Sequence, residues 1–317
     1  MTALCISCER QITYRGEISA PKLVLQTEME EGSDTIHCAV TRSAFFLDHP
    51  DTHYWVPSKG LKLTVERQNG ETVRLDDSLQ SDGDYMINVP LAAPLRTGEV
   101  VRISAEHPDY PDVTAADTIV PVPEYAVTSY VWDSVHQACH VRLQFGENTG
   151  YHGIIGFSGV LYHTETYKWQ GKETVHVYSS RSIYSKDNLF AGMGNAFSSE
   201  NGFNTFGELF CMANGVRNKE VELTFSVTTR TLGSQVDFQQ DSLLLTVAAH
   251  STVSYEYAKS LYSYFGVSGS DDSDIGSMFE GVTGVEEHVQ LYSNVENGYG
   301  IVAGTSRKKT KIMLNNQ

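Results

Sequence analysis

From Lys22 to Val120 apolar and polar residues alternate with period two, and turn-forming residues interrupt the alternation about every 8–12 positions. In Lys59 to Asp76, Leu61, Leu63 and Val65 fall on one face while Lys62, Thr64 and Glu66 fall on the other. Asn69-Gly70 supplies the positive φ angles of a tight hairpin, after which Val73 and Leu75 resume the apolar face. Tyr85, Ile87, Val89 and then Val101, Ile103, Ala105 repeat the pattern around Pro94 and Gly98. About seven short strands in roughly 100 residues predict an immunoglobulin-like β-sandwich over residues 22–121.

Pro121-Val122-Pro123 stops the last of these strands and sets a domain boundary, because prolines a residue apart favour an extended connector. A second mainly-β domain is expected over 122–306. Its strands are read at Tyr125 to Trp132, Ala138 to Phe145, Gly153 to Tyr162, Thr174 to Tyr178 and Val221 to Leu232. Phe190 to Phe210, rich in Gly and Phe, reads as a long ordered loop, either a crossover pinned by its phenylalanines or a binding loop. One short helix is predicted near 254–265, with Ser254 as N-cap, an aromatic stripe from Tyr257 to Phe265, and Gly266 as its stop. Arg307, Lys308, Lys309 and Lys311 make residues 307–317 a basic tail or a last strand.

At 317 residues two domains are expected. The formal charge of −16, with no basic block, makes a field that repels nucleic acid and anionic membrane faces, so neither is expected as a partner. No stretch approaches the ~20 apolar residues of a membrane-spanning helix. Met1 to Ser7 reads as the tail of a signal segment that lacks its basic start, which points to a start further upstream. The cysteines stand at 5, 8, 38, 139 and 211. If Cys8 accepts lipid and Cys5 leaves with the signal, three remain, and an odd number implies no disulfide framework. Residues 1–21 are then signal remnant and tether.

Catalytic motifs are absent: there is no nucleophile elbow, phosphate-binding loop, dinucleotide fingerprint or His-Glu-x-x-His pair, and no enzyme activity or cofactor is expected. His136-x-x-x-His140 is the closest histidine grouping and lacks a nearby third ligand in sequence, so no metal site is expected. Asp271 to Gly276 fails the calcium-loop template, with Ile275 and Val282 where ligands belong. Aromatics among polar residues are the remaining lead. Tyr54 and Trp55 lie in a proline-bounded insertion, and Tyr162, Tyr167 and Trp169 in a stretch read as loop-like. Either cluster fits a small-molecule, peptide or glycan surface, or a lid on a sandwich end.

Three stretches carry a family resemblance: Leu4 to Glu17 with Pro21 to Leu25, Arg96 to Pro121, and Val253 to Phe265 followed by Val289 to Gly304. Together they resemble the DUF4249 family of Bacteroidetes outer-membrane lipoproteins, whose close is matched by Ser293-Asn294-Val295-Glu296-Asn297-Gly298-Tyr299-Gly300. The resemblance implies an outer-membrane lipoprotein acylated at Cys8, with an immunoglobulin-like first half, serving nutrient uptake beside a TonB-dependent transporter. Two rivals stay open, an adhesin or fimbrial-type structural protein and a hydrolase with its site at the domain junction. In physical terms, Asn297-Gly298 reads as a tight turn and Gly300 as a close backbone approach that completes the second domain.

Overall fold

A computed structural model of the chain describes residues 20–43, 56, 59–76, 86–147, 153–169, 172–190, 208–227, 236–268 and 291–314. It is all-β apart from one α-helix and two short 3-10 turns among the described residues. The first seven strands are β1 (Leu23–Glu30), β2 (Thr35–Arg42), β3 (Lys62–Arg67), β4 (Thr72–Leu75), β5 (Met86–Pro90), β6 (Val100–His107) and β7 (Tyr110–Thr118). Strands β1, β2 and β5 form one layer and β4-β3-β6-β7 the other. This partition is that of an immunoglobulin-like sandwich. Leu25, Cys38, Val40 and Ile87 from one layer meet Leu63, Val65, Val101 and Ile103 from the other in a single core. The Asn69-Gly70 turn forms as the sequence requires, with Gly70 at φ 90°.

The remaining strands are β8 (Tyr125–Asp133), β9 (Ala138–Phe145), β10 (Ile154–Trp169), β11 (Lys172–Ser180), β12 (Ser182–Tyr184), β13 (Glu208–Met212), β14 (Glu220–Ser226), β15 (Val236–His250) and β16 (Tyr299–Met313). The sheet β12-β14-β9-β8 faces β10, β15 and the end of β16 across a second core. Phe145, Phe157 and Phe190 meet there edge to face. Val221, Leu223 and Phe225 of β14 point into it, the face their alternation assigns. Helix α1 (Thr252–Ser268) runs longer than the sequence reading of 254–265. Ser251 rather than Ser254 occupies its N-cap, with Ser251 Oγ accepting from the Ser254 N–H at 3.1 Å.

The two sandwiches are not separable at Pro121. One eight-stranded sheet, ordered β11-β10-β15-β16-β1-β2-β5 with β13 also on β10, runs through both. Strand β16 pairs in parallel with β1 from Tyr299 to Thr305, and antiparallel with β15 from Thr305 to Met313. It changes partner at Thr305, which is fully buried. Of the two readings of this basic segment, tail or last strand, Arg307 to Met313 are therefore strand. Arg307 bridges Glu28 (2.5 Å) and Glu30 (2.7 Å) of β1, and the Lys308 ammonium sits 4.9 Å from the Tyr125 ring centroid.

The Asn-Gly-x-Gly close, read as completing the second domain, completes the first. Val295 and Val302 enter the first core. The Asn294 amide imitates a neighbouring strand, donating to Val302 O at 2.9 Å and accepting from its N–H at 3.0 Å. Gly300, at φ 107°, runs so close to β1 that a Cβ there would lie 2.0 Å from Leu25 O. The close approach expected of this glycine is real, and its partner is the N-terminal strand.

Candidate functional site

The second half of β10 leaves the core. Its last member in the second core is Leu161, and the first from β15 is Leu243. Past them β10 continues to Trp169, flanked by β11 (Leu161↔Ser180 to Trp169↔Lys172) and by the start of β15 (Tyr167↔Val236). The β15 register slips opposite Tyr162 and His163, where the sheet passes from core to arm. The sequence reading of Tyr162 to Trp169 as loop-like is thus corrected to strand. Polar residues on both faces erased the alternation that marks a half-buried strand.

Among the described residues strand β11 contributes nothing to either core and is terminal in the sheet order. Thr174 through Ser179 are all exposed. Val175 is 57% and Val177 71% exposed, a high value for β-branched side chains, while Tyr178 and Tyr162 expose 40% and 36%. On the opposite face Tyr178 stacks on the buried His163 ring (5.5 Å between centroids, 21°), and His163 Nε2 meets Glu165 Oε1 at 3.2 Å. This aromatic and hydrogen-bonded underside supports an arm whose outer margin, among the described residues, offers main-chain N–H and C=O groups to an incoming strand.

Of the residues singled out from sequence, Tyr162 lies on this arm opposite Ser179, and Tyr167 and Trp169 occupy register positions opposite Thr174 and Lys172. Successive positions on a strand alternate faces, so the odd steps from 162 to 167 and 169 separate these positions across the sheet. Tyr54, Trp55 and Cys8 fall outside the described residues. Sequence reasoning missed Val175 and Val177; their unrelieved Thr-Val-His-Val-Tyr run was the available signal, read only as a strand.

A polar cluster marks the junction of the sandwiches. Glu208 Oε1 lies 3.1 Å from His250 Nε2, and Ser254 Oγ 3.4 Å from His250 Nδ1. Gly156 makes the room, since a Cβ there would overlap the Glu208 carboxylate. Beside it Asp117 accepts from the Gly304 N–H at 2.8 Å; burial pushes its carboxyl pKa up, while hydrogen bonds from Ser251 and from the Gly304 and Thr118 amides oppose that shift. Both nitrogens of a mostly buried imidazole are engaged, and α1 is tied to β13, β15 and β16.

The other buried charge, Arg67, is saturated. Its guanidinium contacts Glu99 twice (2.5 and 2.8 Å), Glu71 (2.7 Å) and the carbonyls of Ala93 and Pro94. No N–H is left for a ligand, and the Glu99 carboxyl is held below its usual range by this guanidinium. Cys38, Cys139 and Cys211 are free and buried, and desolvation lifts each thiol to about 12. They are packing residues without thiolate chemistry. Among the described residues no group of three His, Cys, Asp or Glu side chains is placed to hold a metal ion, and no helix is long and apolar enough to cross a membrane.

Two fused β-sandwiches with a projecting sheet edge define the class of protein. The chain belongs to the family described as Domain of unknown function (DUF4249), whose model matches residues 9–311. Among solved structures it is similar to a two-domain fibronectin type III segment of chicken tenascin, at 11% identity and TM-score 0.20, covering 72% of this chain and 90% of that one. It is also similar to a mutant alpha-2-macroglobulin from Salmonella, at 11% identity and TM-score 0.24, covering 73% of this chain and 14% of that one. No curated protein matches the chain.

Proposed function

We propose that this protein is a lipid-anchored binding subunit of the outer membrane that captures an extended segment of a partner by strand addition to β11. The carrying observation is the arm: an edge strand with both faces exposed and two outward valines. Proteins commonly blunt such edges with charge, proline or a covering element. A strand added there would form main-chain hydrogen bonds along β11, while Val175 and Val177 would select β-branched side chains opposite them. The anchor is Cys8, and the uptake context makes a TonB-dependent transporter the partner. Its segment would pair with β11 without a role for net charge.

The test immobilises the protein and asks whether a TonB-dependent transporter co-purifies with it from outer membranes. Wild type is expected to retain it, and the Val175→Lys/Val177→Lys double variant to lose at least tenfold of it. Equal retention by the folded double variant rejects strand addition at β11. Metabolic labelling with a palmitate analogue tests the anchor separately, and label persisting in Cys8→Ser rejects it.

A structural-subunit reading has one observation in its favour. An antiparallel β11–β11 pairing centred on His176 would set Val175 against Val177 and Thr174 against Tyr178, pairs that stabilise sheets. Sedimentation of the purified protein separates the two: a reversible dimer abolished by the same double variant favours self-assembly, and a monomer favours capture of a partner.

A further inference from the structure

The two faces of β11 differ, and each is continued on β10. Directly opposed residues of an antiparallel pair share a face, so the register sorts the arm into rows that run across the sheet. On one face Val177 stands opposite Thr164 and Val175 opposite Thr166, two rows made of β-branched residues. On the other, Tyr178 stands opposite His163 and His176 opposite Glu165. The Tyr178 row is a ring stack with His163, and the His176 ring meets Tyr178 along the strand at 5.9 Å and 40°. His163 is buried, while Tyr178 stays exposed at the margin.

A strand added at that margin would prolong every row by one place. Neighbouring strands lie about 4.8 Å apart and the His163 and Tyr178 centroids 5.5 Å apart, so a ring opposite Tyr178 on the added strand would stand third in the stack. On the other face, β-branched side chains opposite Val177 and Val175 would continue the rows begun by Thr164 and Thr166. On the basis of strand addition at β11, we infer that the captured segment reads aromatic, β-branched, any residue, β-branched, and runs antiparallel to β11. Its aromatic residue faces Tyr178, its two β-branched residues face Val177 and Val175, and the open position faces His176.

Direction and register follow from the same two faces. Antiparallel pairing is the more stable per residue and brings opposed side chains close together. A slip of one residue would turn the ring onto the valine face and a β-branched residue onto the ring stack, so the margin reads order as well as composition. A charge facing Val175 or Val177 would meet only β-branched residues in its row. The ligand class is therefore an extended peptide with two unlike faces, one carrying a ring and the other a β-branched pair.

The probe is a fluorescein-labelled peptide with Phe-Val-Thr-Val at its centre, titrated with the full chain by fluorescence anisotropy. Exchanging the peptide's Phe for Ala is expected to weaken binding to wild type about fivefold, but less than about twofold to Tyr178→Ala, because the two rings then have no contact to lose. Tyr178→Phe keeps the ring and is expected to bind as wild type does, which separates the contact from a defect in folding. Binding that Val177→Lys or N-methylation of alternate peptide amides abolishes, yet that ignores the loss of Phe, overturns the aromatic position and leaves strand addition standing. Absence of any peptide binding up to about 1 mM overturns both.

Discussion

Strands β1 and β16, in the middle of the eight-stranded sheet, and β11, at its margin, belong to one hydrogen-bonded surface and carry opposite kinds of side chain. Ile301 through Ser306 of β16 are buried at six successive positions, so both faces are covered. Where two layers close on a strand there is no room for alternation, and glycines appear at Gly300 and Gly304 because other backbone occupies the Cβ position. In β11 six successive positions are exposed, and valines stand where a typical edge would carry charge. Period-two patterning therefore marks only the intermediate case of a strand with one dry face. Both departures from it, the doubly buried and the doubly exposed, coincide with special duties.

The sharpest way to break this contrast is along β10, which belongs to both regimes. Phe157→Ala, in its buried half, is expected to cost about 3–5 kcal/mol in urea unfolding, since a fully buried ring is lost from an edge-to-face cluster. A cost below about 1 kcal/mol would mean the second core is loosely packed.

Gly304→Ala is expected to cost about 1–3 kcal/mol, because the added methyl would sit 2.3 Å from the Thr118 carbonyl oxygen. A neutral result would show that β16 and β7 can separate freely.

Asp117→Asn is expected to act mainly through pH. A carboxyl whose folded pKa is raised holds its proton more tightly when folded, so it contributes stability below its ordinary pKa of about 4 that is lost as pH rises through the folded value. Unfolding midpoints measured from pH 4 to 7 are expected to fall less in the Asn variant than in wild type. An equal fall would place the responsible group elsewhere.

The smallest expected change in stability, within about 0.5 kcal/mol, is that of Val177→Lys, because its side chain is already in water. A loss above about 1 kcal/mol would show that the outer face of β11 is covered and is no docking edge.

Much of the fold is legible locally. The Asn69-Gly70 hairpin and the alternation of Val221 to Val227 depend on neighbours in sequence and appear where their patterns say, while the helix read near 254–265 forms over Thr252–Ser268 with Ser251 in place of Ser254 as its cap. What was not legible is non-local. The partner of Leu25 is Gly300, and the junction cluster gathers residues 117, 208 and 250–254 from three separate stretches of chain. No periodicity relates such positions. Thr174 to Tyr178 was legible as a strand, but nothing in its local alternation says that both of its faces stay in water.

The double pairing of β16 bears on how the molecule is made. It is the last of the described strands to leave the ribosome, yet β1, the first, depends on it for a parallel partner. Seven strands of the leading sandwich can assemble early, but their core lacks Val295 and Val302 until about 180 further residues have been synthesised. The nascent protein therefore stays incomplete until β16 arrives to lock both halves at once.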